Sequence, residues 1–188
     1  MTRLLLVLWA VAGGFWFRVR GGGWFEVPRV VDLGVWGLLV TLPIWFIGVP
    51  WYLGILAVVW CSTLTAWGHG DFIDMGGGTG DPDEVLAKVV TWLTGRADGY
   101  WRDALGMGLS GASYLVLPAA LAAAYASPWW LLWLLVGFLG KGGAYAIGKR
   151  FEAPQLGLDS TVIGEYLTGG FMCAGSGVLW FWRPAILG

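Results

Sequence analysis

Long apolar runs that are almost free of charge occupy most of this chain. They cover residues 4–17, 35–49, 51–67, 104–126, 128–148 and 161–182. Only 12% of the 188 residues are charged, whereas a soluble domain carries about 25%. So little charge cannot cover a surface that faces water, but apolar side chains can face lipid. The pattern predicts an all-α, polytopic transmembrane bundle of about six spans, folded as a single integral membrane domain.

The first run has two interpretations. Residues 4–12, with Arg3 before them, have the apolar core and positive start of a signal peptide. Residues 13–17, however, stay apolar and aromatic where a cleavage region is polar. We therefore expect the first helix to be retained as a span.

Positive charge is distributed unequally between the two sides that alternating spans create. One side carries eight residues: Arg18, Arg20, Arg29, Lys88, Arg96, Arg102, Lys149 and Arg150. The other side carries Arg3 and Arg183. The positive-inside rule places the eight in the cytoplasm, which predicts a multi-pass protein of the cell (inner or plasma) membrane with both termini outside. The net charge of -1 gives no basic field for nucleic acid.

A further helix is predicted between the third and fourth runs, over about residues 82–94. Asp81 suits the N-cap position, Pro82 the first turn, and Asp83 and Glu84 the positive end of the helix dipole. The residues that follow form a broad apolar face. We expect an amphipathic helix that lies flat in the headgroup region.

The predicted topology brings ionisable residues together near the cytoplasmic face. The set contains residues at span ends and two charges within spans: Arg18, Arg20, His69, Asp71, Asp74, Arg102, Lys141 and Glu165. Lys141 lies about two turns inside the fifth run, and Glu165 about one turn inside the sixth. A charge within a span costs several kcal/mol unless it is paired or solvated, so such residues mark a candidate site.

Acid–base and metal chemistry are expected from the acidic part of this set. Asp71 and Asp74, at i and i+3, share one face of a helical turn and can hold a divalent cation such as Mg²⁺. His69, Asp71 and Glu165 are the candidate catalytic acids and bases. Alternatively, His69 is an interfacial polar residue and the two aspartates are solvated loop acids.

The basic members of the set are candidates for binding phosphate. Arg18, Arg20, Arg102 and Lys141 can neutralise the charge of a phosphate group. The expected substrate is a phosphorylated lipid or another amphipathic molecule. In the structural alternative, Lys141 pairs with Glu165 or extends towards the headgroups.

Two short motifs resemble those of membrane enzymes. The pair Asp71-x2-Asp74 is similar to the aspartate motif of UbiA-type prenyltransferases, although the second aspartate motif of that family is missing. The segment Gly68-His69-Gly70-Asp71 resembles the Gly-x-Gly-Asp signature of intramembrane aspartyl proteases. That resemblance implies two aspartates sharing a proton, with Asp32 or Asp103 as the partner.

Two other classes of function stay open. Small residues recur four apart in the last three runs: Gly106 and Ser110, Gly108 and Ala112, Ala144 and Gly148. Such spacing lets helix backbones approach closely, as in an accessory subunit that forms homo- or hetero-oligomers. A small transporter or channel is the other class, but a through-pore should be polar at both faces and this chain is polar at one.

Overall fold

The computed structural model describes residues 2–19, 29–67, 100–151 and 160–187, and within these ranges all regular structure is helical. The helices are α1 (Thr2–Val19), α2 (Arg29–Thr41), α3 (Trp51–Trp67), α4 (Tyr100–Tyr114), α5 (Val116–Tyr125), α6 (Trp133–Arg150) and α7 (Ser160–Leu187). Two 3-10 helices, Leu42–Phe46 and Pro128–Leu132, extend the end of α2 and the start of α6. The all-α class is confirmed. The amphipathic helix expected at 82–94 lies outside the described residues.

Fewer helices than expected meet the length and hydropathy of a membrane span. Within the described ranges, Thr2–Val19 and Pro128–Arg150 do so, and α4 with α5 makes a third if the bent pair is one span. Two further apolar helices, Val31–Phe46 and Trp51–Ala66, are shorter. Helix α7 has 28 residues, but five glycines and Glu165 lower its hydropathy. The structure thus supports two to three spans, where the sequence pattern predicted six.

The fourth apolar run, expected as one helix over 104–126, is broken after Tyr114. Helices α4 and α5 are bent by 47° relative to each other. Pro118 has no backbone N–H to donate to the carbonyl of Tyr114, and its ring crowds that carbonyl. At the break, the Leu115 N–H donates to the Ala112 carbonyl over 3.0 Å, which tightens the turn. Proline therefore explains the bend.

Helices α1, α7, α6 and α4 lie side by side in that order, each in extensive contact with the next. Helices α2 and α3 form a second pair: α2 packs against α1 and α7, and α3 touches α4 and α5. The buried core contains several large aromatic side chains: Phe17, Trp36, Tyr114, Trp130 and Trp133. Phe17 of α1 meets Trp36 of α2 edge to face at 4.7 Å, which joins the two groups of helices.

Glycines set the closest helix contacts. A Cβ atom on Gly111 of α4 would overlap the carbonyl of Gly137 in α6, and a Cβ atom on Gly137 would overlap the carbonyl of Gly111. Between α1 and α7, a Cβ atom on Gly169 would overlap the carbonyl of Gly13. Backbones this close are typical of helices packed in lipid, where packing drives association.

Large apolar side chains cover the outward faces of the helices. On α1, Leu4, Val7, Leu8 and Val11 are each more than half exposed. On α3, the outward side chains include Trp51, Tyr52 and Val59, and on α6 they include Leu135 and Leu139. Monomeric soluble proteins rarely expose apolar surface of this extent.

Candidate functional site

Charged residues gather at one end of the helix assembly. Helix α1 ends there with Arg18, and α6 with Lys149 and Arg150. Asp32 and Asp103 lie in the first turns of α2 and α4, and Glu165 lies in the second turn of α7. We call these six residues the charged end. Every Asp and Glu in the described ranges belongs to it. It is the same side on which the count of Lys and Arg predicted the cytoplasm.

An ion pair joins α1 to α7 at the charged end. Arg18 Nη1 lies 3.1 Å from Glu165 Oε2, and the two side chains are 23% and 14% exposed. One turn away, a Cβ atom on Gly14 would lie 2.6 Å from the carbonyl oxygen of Tyr166, so the helices are already close. Glycine at position 14 thus brings the guanidinium and the carboxylate within reach of each other. The two side chains remain partly accessible, although Glu165 Oε2 itself is buried.

Asp32 lies in the first turn of α2 and is only 2% exposed. Its Oδ1 atom accepts no hydrogen bond from any residue that the structure describes. One turn further along α2, Trp36 packs against Phe17, the neighbour of Arg18. This contact places Asp32 beside the end of α1. An acidic residue in a first turn is favoured by the helix dipole.

Helix α4 begins at Tyr100, four residues before the expected start, so its first turn contains Arg102 and Asp103. The Tyr145 hydroxyl of α6 donates to Asp103 Oδ2 over 3.4 Å. The Tyr100 hydroxyl donates to the Ala146 carbonyl over 2.6 Å. These bonds fix the start of α4 against the end of α6.

Lys141 lies deeper in the assembly and is 4% exposed. It is nine residues before Arg150, the last residue of α6, which corresponds to about 13 Å along the helix axis. Its Nζ atom donates to Ser110 Oγ over 2.8 Å and to the Tyr114 hydroxyl over 2.7 Å. Ser110 Oγ in turn donates to the Tyr114 hydroxyl over 3.2 Å. We call Ser110, Tyr114 and Lys141 the lysine cluster.

The structure describes other contacts for both residues of the Lys141–Glu165 pair that was raised as a structural alternative. Glu165 pairs with Arg18, and the Lys141 amine bonds to two hydroxyls of α4. Sequence reasoning named Ser110 only as a small packing residue and did not name Tyr114. A signal was present, because residues at i and i+4 share one helix face. Two hydroxyls so spaced can meet a lysine on a neighbouring helix.

Four predicted site residues, Arg20, His69, Asp71 and Asp74, lie outside the described residues, as does the side chain of Arg102. The Mg²⁺ site predicted at the two aspartates is therefore still a prediction. In the described ranges, His, Cys, Asp and Glu form no group of three or more that could hold a metal.

An apolar groove of about 280 Å³ lies at the end opposite the charged residues. Its lining residues are Leu5, Trp9, Leu42, Pro43, Phe46, Trp180 and Phe181. The groove contains no ionisable side chain, so it offers shape and apolar contact but no acid–base chemistry.

No protein-family model, curated protein or solved structure matches this chain.

Proposed function

We propose that this chain is an integral membrane enzyme that binds a phosphorylated lipid, or another phosphorylated amphipathic molecule, at its cytoplasmic face. The observation that carries the proposal is the Arg18–Glu165 pair at the charged end. A cation and a carboxylate are side by side there, on side chains that are partly exposed, at the end of a largely apolar assembly.

Membrane insertion is supported by the outward faces of the helices and by composition. Helices α1 and α6, the latter with its 3-10 extension, are long and apolar enough to span a bilayer, and large apolar side chains point away from the core. In lipid, such surface needs no covering. The shorter helices α2 and α3 would then cross a locally thinned bilayer or extend into turns.

Arg18 is the described residue best suited to a phosphate group. The guanidinium presents a planar set of donors that matches phosphate oxygens two at a time. Its present partner, Glu165, would be released when phosphate takes its place, and a released carboxylate can accept a proton. Lys149 and Arg150, both exposed at the same end, add positive charge that attracts an anionic headgroup.

The remaining chemistry belongs to predicted residues outside the described ranges. Asp71 and Asp74 would hold Mg²⁺ against the phosphate, and His69 would supply a further acid or base. The apolar part of the substrate would stay among the lipid chains beside the helices.

The proposal is tested by native mass spectrometry of protein extracted gently from its host membrane. We expect a phospholipid or an isoprenoid phosphate bound to the wild type, and its loss in Arg18→Gln. Arg3→Gln is the matched control, because Arg3 is exposed at the opposite end of the same helix. The Asp71→Asn/Asp74→Asn double variant should lose both the ligand and Mg²⁺.

Identical spectra for the wild type, Arg18→Gln and the aspartate double variant would rule out the proposed site. Equal loss in Arg3→Gln and Arg18→Gln would also rule it out, because the effect would then not depend on the charged end.

A second function, packing against a partner subunit, is favoured by Gly143. A Cβ atom at this position would have no neighbour within 4 Å, so nothing in the described chain requires glycine there. Leu139 and Leu135 lie one and two turns before it on the exposed side of α6. Gly143→Leu should release a co-purifying partner if this face is an interface, and should change nothing if it faces lipid.

A further inference from the structure

We propose that Ser110 is a nucleophile and Lys141 its general base, and that together they cleave an acyl ester of an amphipathic molecule. The inference rests on the proposed membrane function and adds a reaction at a second set of residues, which belong to α4 and α6 rather than to α1 and α7.

The distances in the lysine cluster meet the requirement for such a pair. A nucleophile and its base must lie within hydrogen-bond reach, about 2.6–3.2 Å, and the base is commonly held by a third group. Lys141 Nζ is 2.8 Å from Ser110 Oγ and 2.7 Å from the Tyr114 hydroxyl, which supplies the third group. Serine with lysine as its base is a known variant of the catalytic triad.

The backbone holds these atoms firmly. A Cβ atom on Gly111, the residue after Ser110, would lie 2.7 Å from Lys141 Cβ and would overlap the carbonyl of Gly137. The two helices therefore touch immediately beside the cluster, and the lysine stem has little freedom. Groups fixed in this way react without first being ordered.

The reaction conserves atoms and charge. In the deprotonated form that the reaction requires, the Lys141 amine takes the proton that Ser110 otherwise donates to the Tyr114 hydroxyl, while Oγ bonds to the ester carbonyl carbon. The bond from that carbon to the alcohol oxygen then breaks, and the alcohol leaves with the proton from Lys141. A water molecule, the second reactant, attacks the acyl-serine in the same manner, releases the carboxylic acid and restores Ser110.

The seam between α3 and α4 offers the route by which the ester reaches Ser110. Helix α3 contacts α4 far less extensively than α6 does. Trp60 of α3 bridges this seam, because its indole Nε1 donates to the carbonyl of Ser113 over 3.0 Å. Trp60 is 38% exposed, whereas Ser110, three residues before Ser113, is 2% exposed and contacts Lys141 of α6. Displacement of the indole would open a path from lipid to the serine, which selects for acyl chains that partition into a bilayer.

The test is covalent labelling of the full-length protein in detergent micelles with a fluorophosphonate that carries a long alkyl chain. Ser110 Oγ displaces fluoride from this probe, and Lys141 takes the proton. We expect one adduct per chain, located on Ser110 by peptide mass spectrometry. Ser110→Ala should remove the adduct, and Lys141→Met should slow its formation at least about 100-fold. Ser62→Ala is the control, because Ser62 bonds to the Leu33 carbonyl and lies on another seam.

The proposal is overturned if folded wild-type protein gains no adduct on Ser110, or if Lys141→Met is labelled at the wild-type rate. Thermal unfolding of each variant shows whether a lost adduct reflects a lost fold. Native mass spectra of the same samples separate the two proposals. A bound phospholipid without an adduct rejects the Ser110 nucleophile alone, whereas an adduct without any bound phosphorylated lipid rejects the Arg18 site alone.

Discussion

Two polar arrangements in the described part of the chain, the charged end and the lysine cluster, differ in depth and in the groups that contact the cation. At the charged end, Arg18 is paired with a carboxylate, and both partners are partly accessible. In the lysine cluster, the Lys141 amine is almost fully buried and is held by two neutral hydroxyls. An ion pair near a surface suits exchange with a charged ligand, whereas a buried amine among hydroxyls suits proton transfer. We therefore infer that the charged end and the lysine cluster are two separate sites rather than two parts of one site.

Both arrangements lie beside a glycine contact between helices. Gly14 touches the backbone of Tyr166 next to the Arg18–Glu165 pair, and Gly111 touches Gly137 next to Lys141. Close backbones shorten the gap that a polar side chain must cross. In both places, therefore, the loss of a neighbouring glycine should separate the polar groups.

The largest effect is expected from Gly137→Leu. Its side chain would occupy the space of the Gly111 carbonyl, and the two backbones would have to separate. We expect destabilisation of more than about 3 kcal/mol, and loss of the folded form in mild detergent, because overpacking against backbone cannot be relieved by a rotamer change. Denaturant titration in micelles measures the change. Gly143→Leu is the control, since that position is open, and equal effects of the two variants would mean that the α4–α6 contact is not tight.

A smaller effect is expected from Arg18→Glu, which places two carboxylates together. Because the pair is only partly buried, we expect a loss of about 2 kcal/mol rather than the larger penalty of a fully buried pair. The exchange variant Arg18→Glu/Glu165→Arg should recover at least half of that stability. If it recovers none, the pair is not formed as described. The same exchange should still abolish lipid binding if phosphate requires the cation on α1.

The sequence predicted the helical class and the crowding of charge at one end, because both follow from composition and from the order of apolar runs. It failed at features that depend on three-dimensional contact. The break after Tyr114 required weighing Pro118 inside an apolar run, and the partner of Glu165 required knowing which helices are neighbours. The number of spans was overestimated because apolar runs of 15 and 17 residues were counted as spans, and because the glycines and Glu165 of α7 lower its hydropathy. The contact of Ser110 and Tyr114 with Lys141 was not predicted, because the sequence does not show which hydroxyls of α4 face the lysine of α6.

Trp60→Phe should have a modest effect on stability and a larger effect on the access of substrate to Ser110. It removes the indole hydrogen bond to the Ser113 carbonyl but keeps an aromatic ring in the seam. We expect a loss of about 1 kcal/mol, the usual value of one hydrogen bond. If α3 and α4 form the entry route, the rate of Ser110 labelling should rise several-fold in this variant. An unchanged or slower rate would show that substrate does not pass Trp60.

The smallest change in stability is expected from Lys141→Met, and it separates the two arrangements most clearly. Methionine keeps most of the length and volume of the lysine stem, and the hydroxyls of Ser110 and Tyr114 are already bonded to each other. The substitution therefore leaves no unpaired charge in the lysine cluster, whereas Arg18→Met would leave Glu165 without its ion-pair partner. The two hydroxyls that remain are neutral and satisfy each other, so we expect a change within about 1 kcal/mol. Denaturant titration beside Arg18→Met measures the contrast. A loss above about 3 kcal/mol in Lys141→Met would show that the amine is a structural element of the α4–α6 contact. If Lys141→Met is as stable as the wild type but Ser110 is no longer labelled, the buried amine contributes to the reaction and not to stability.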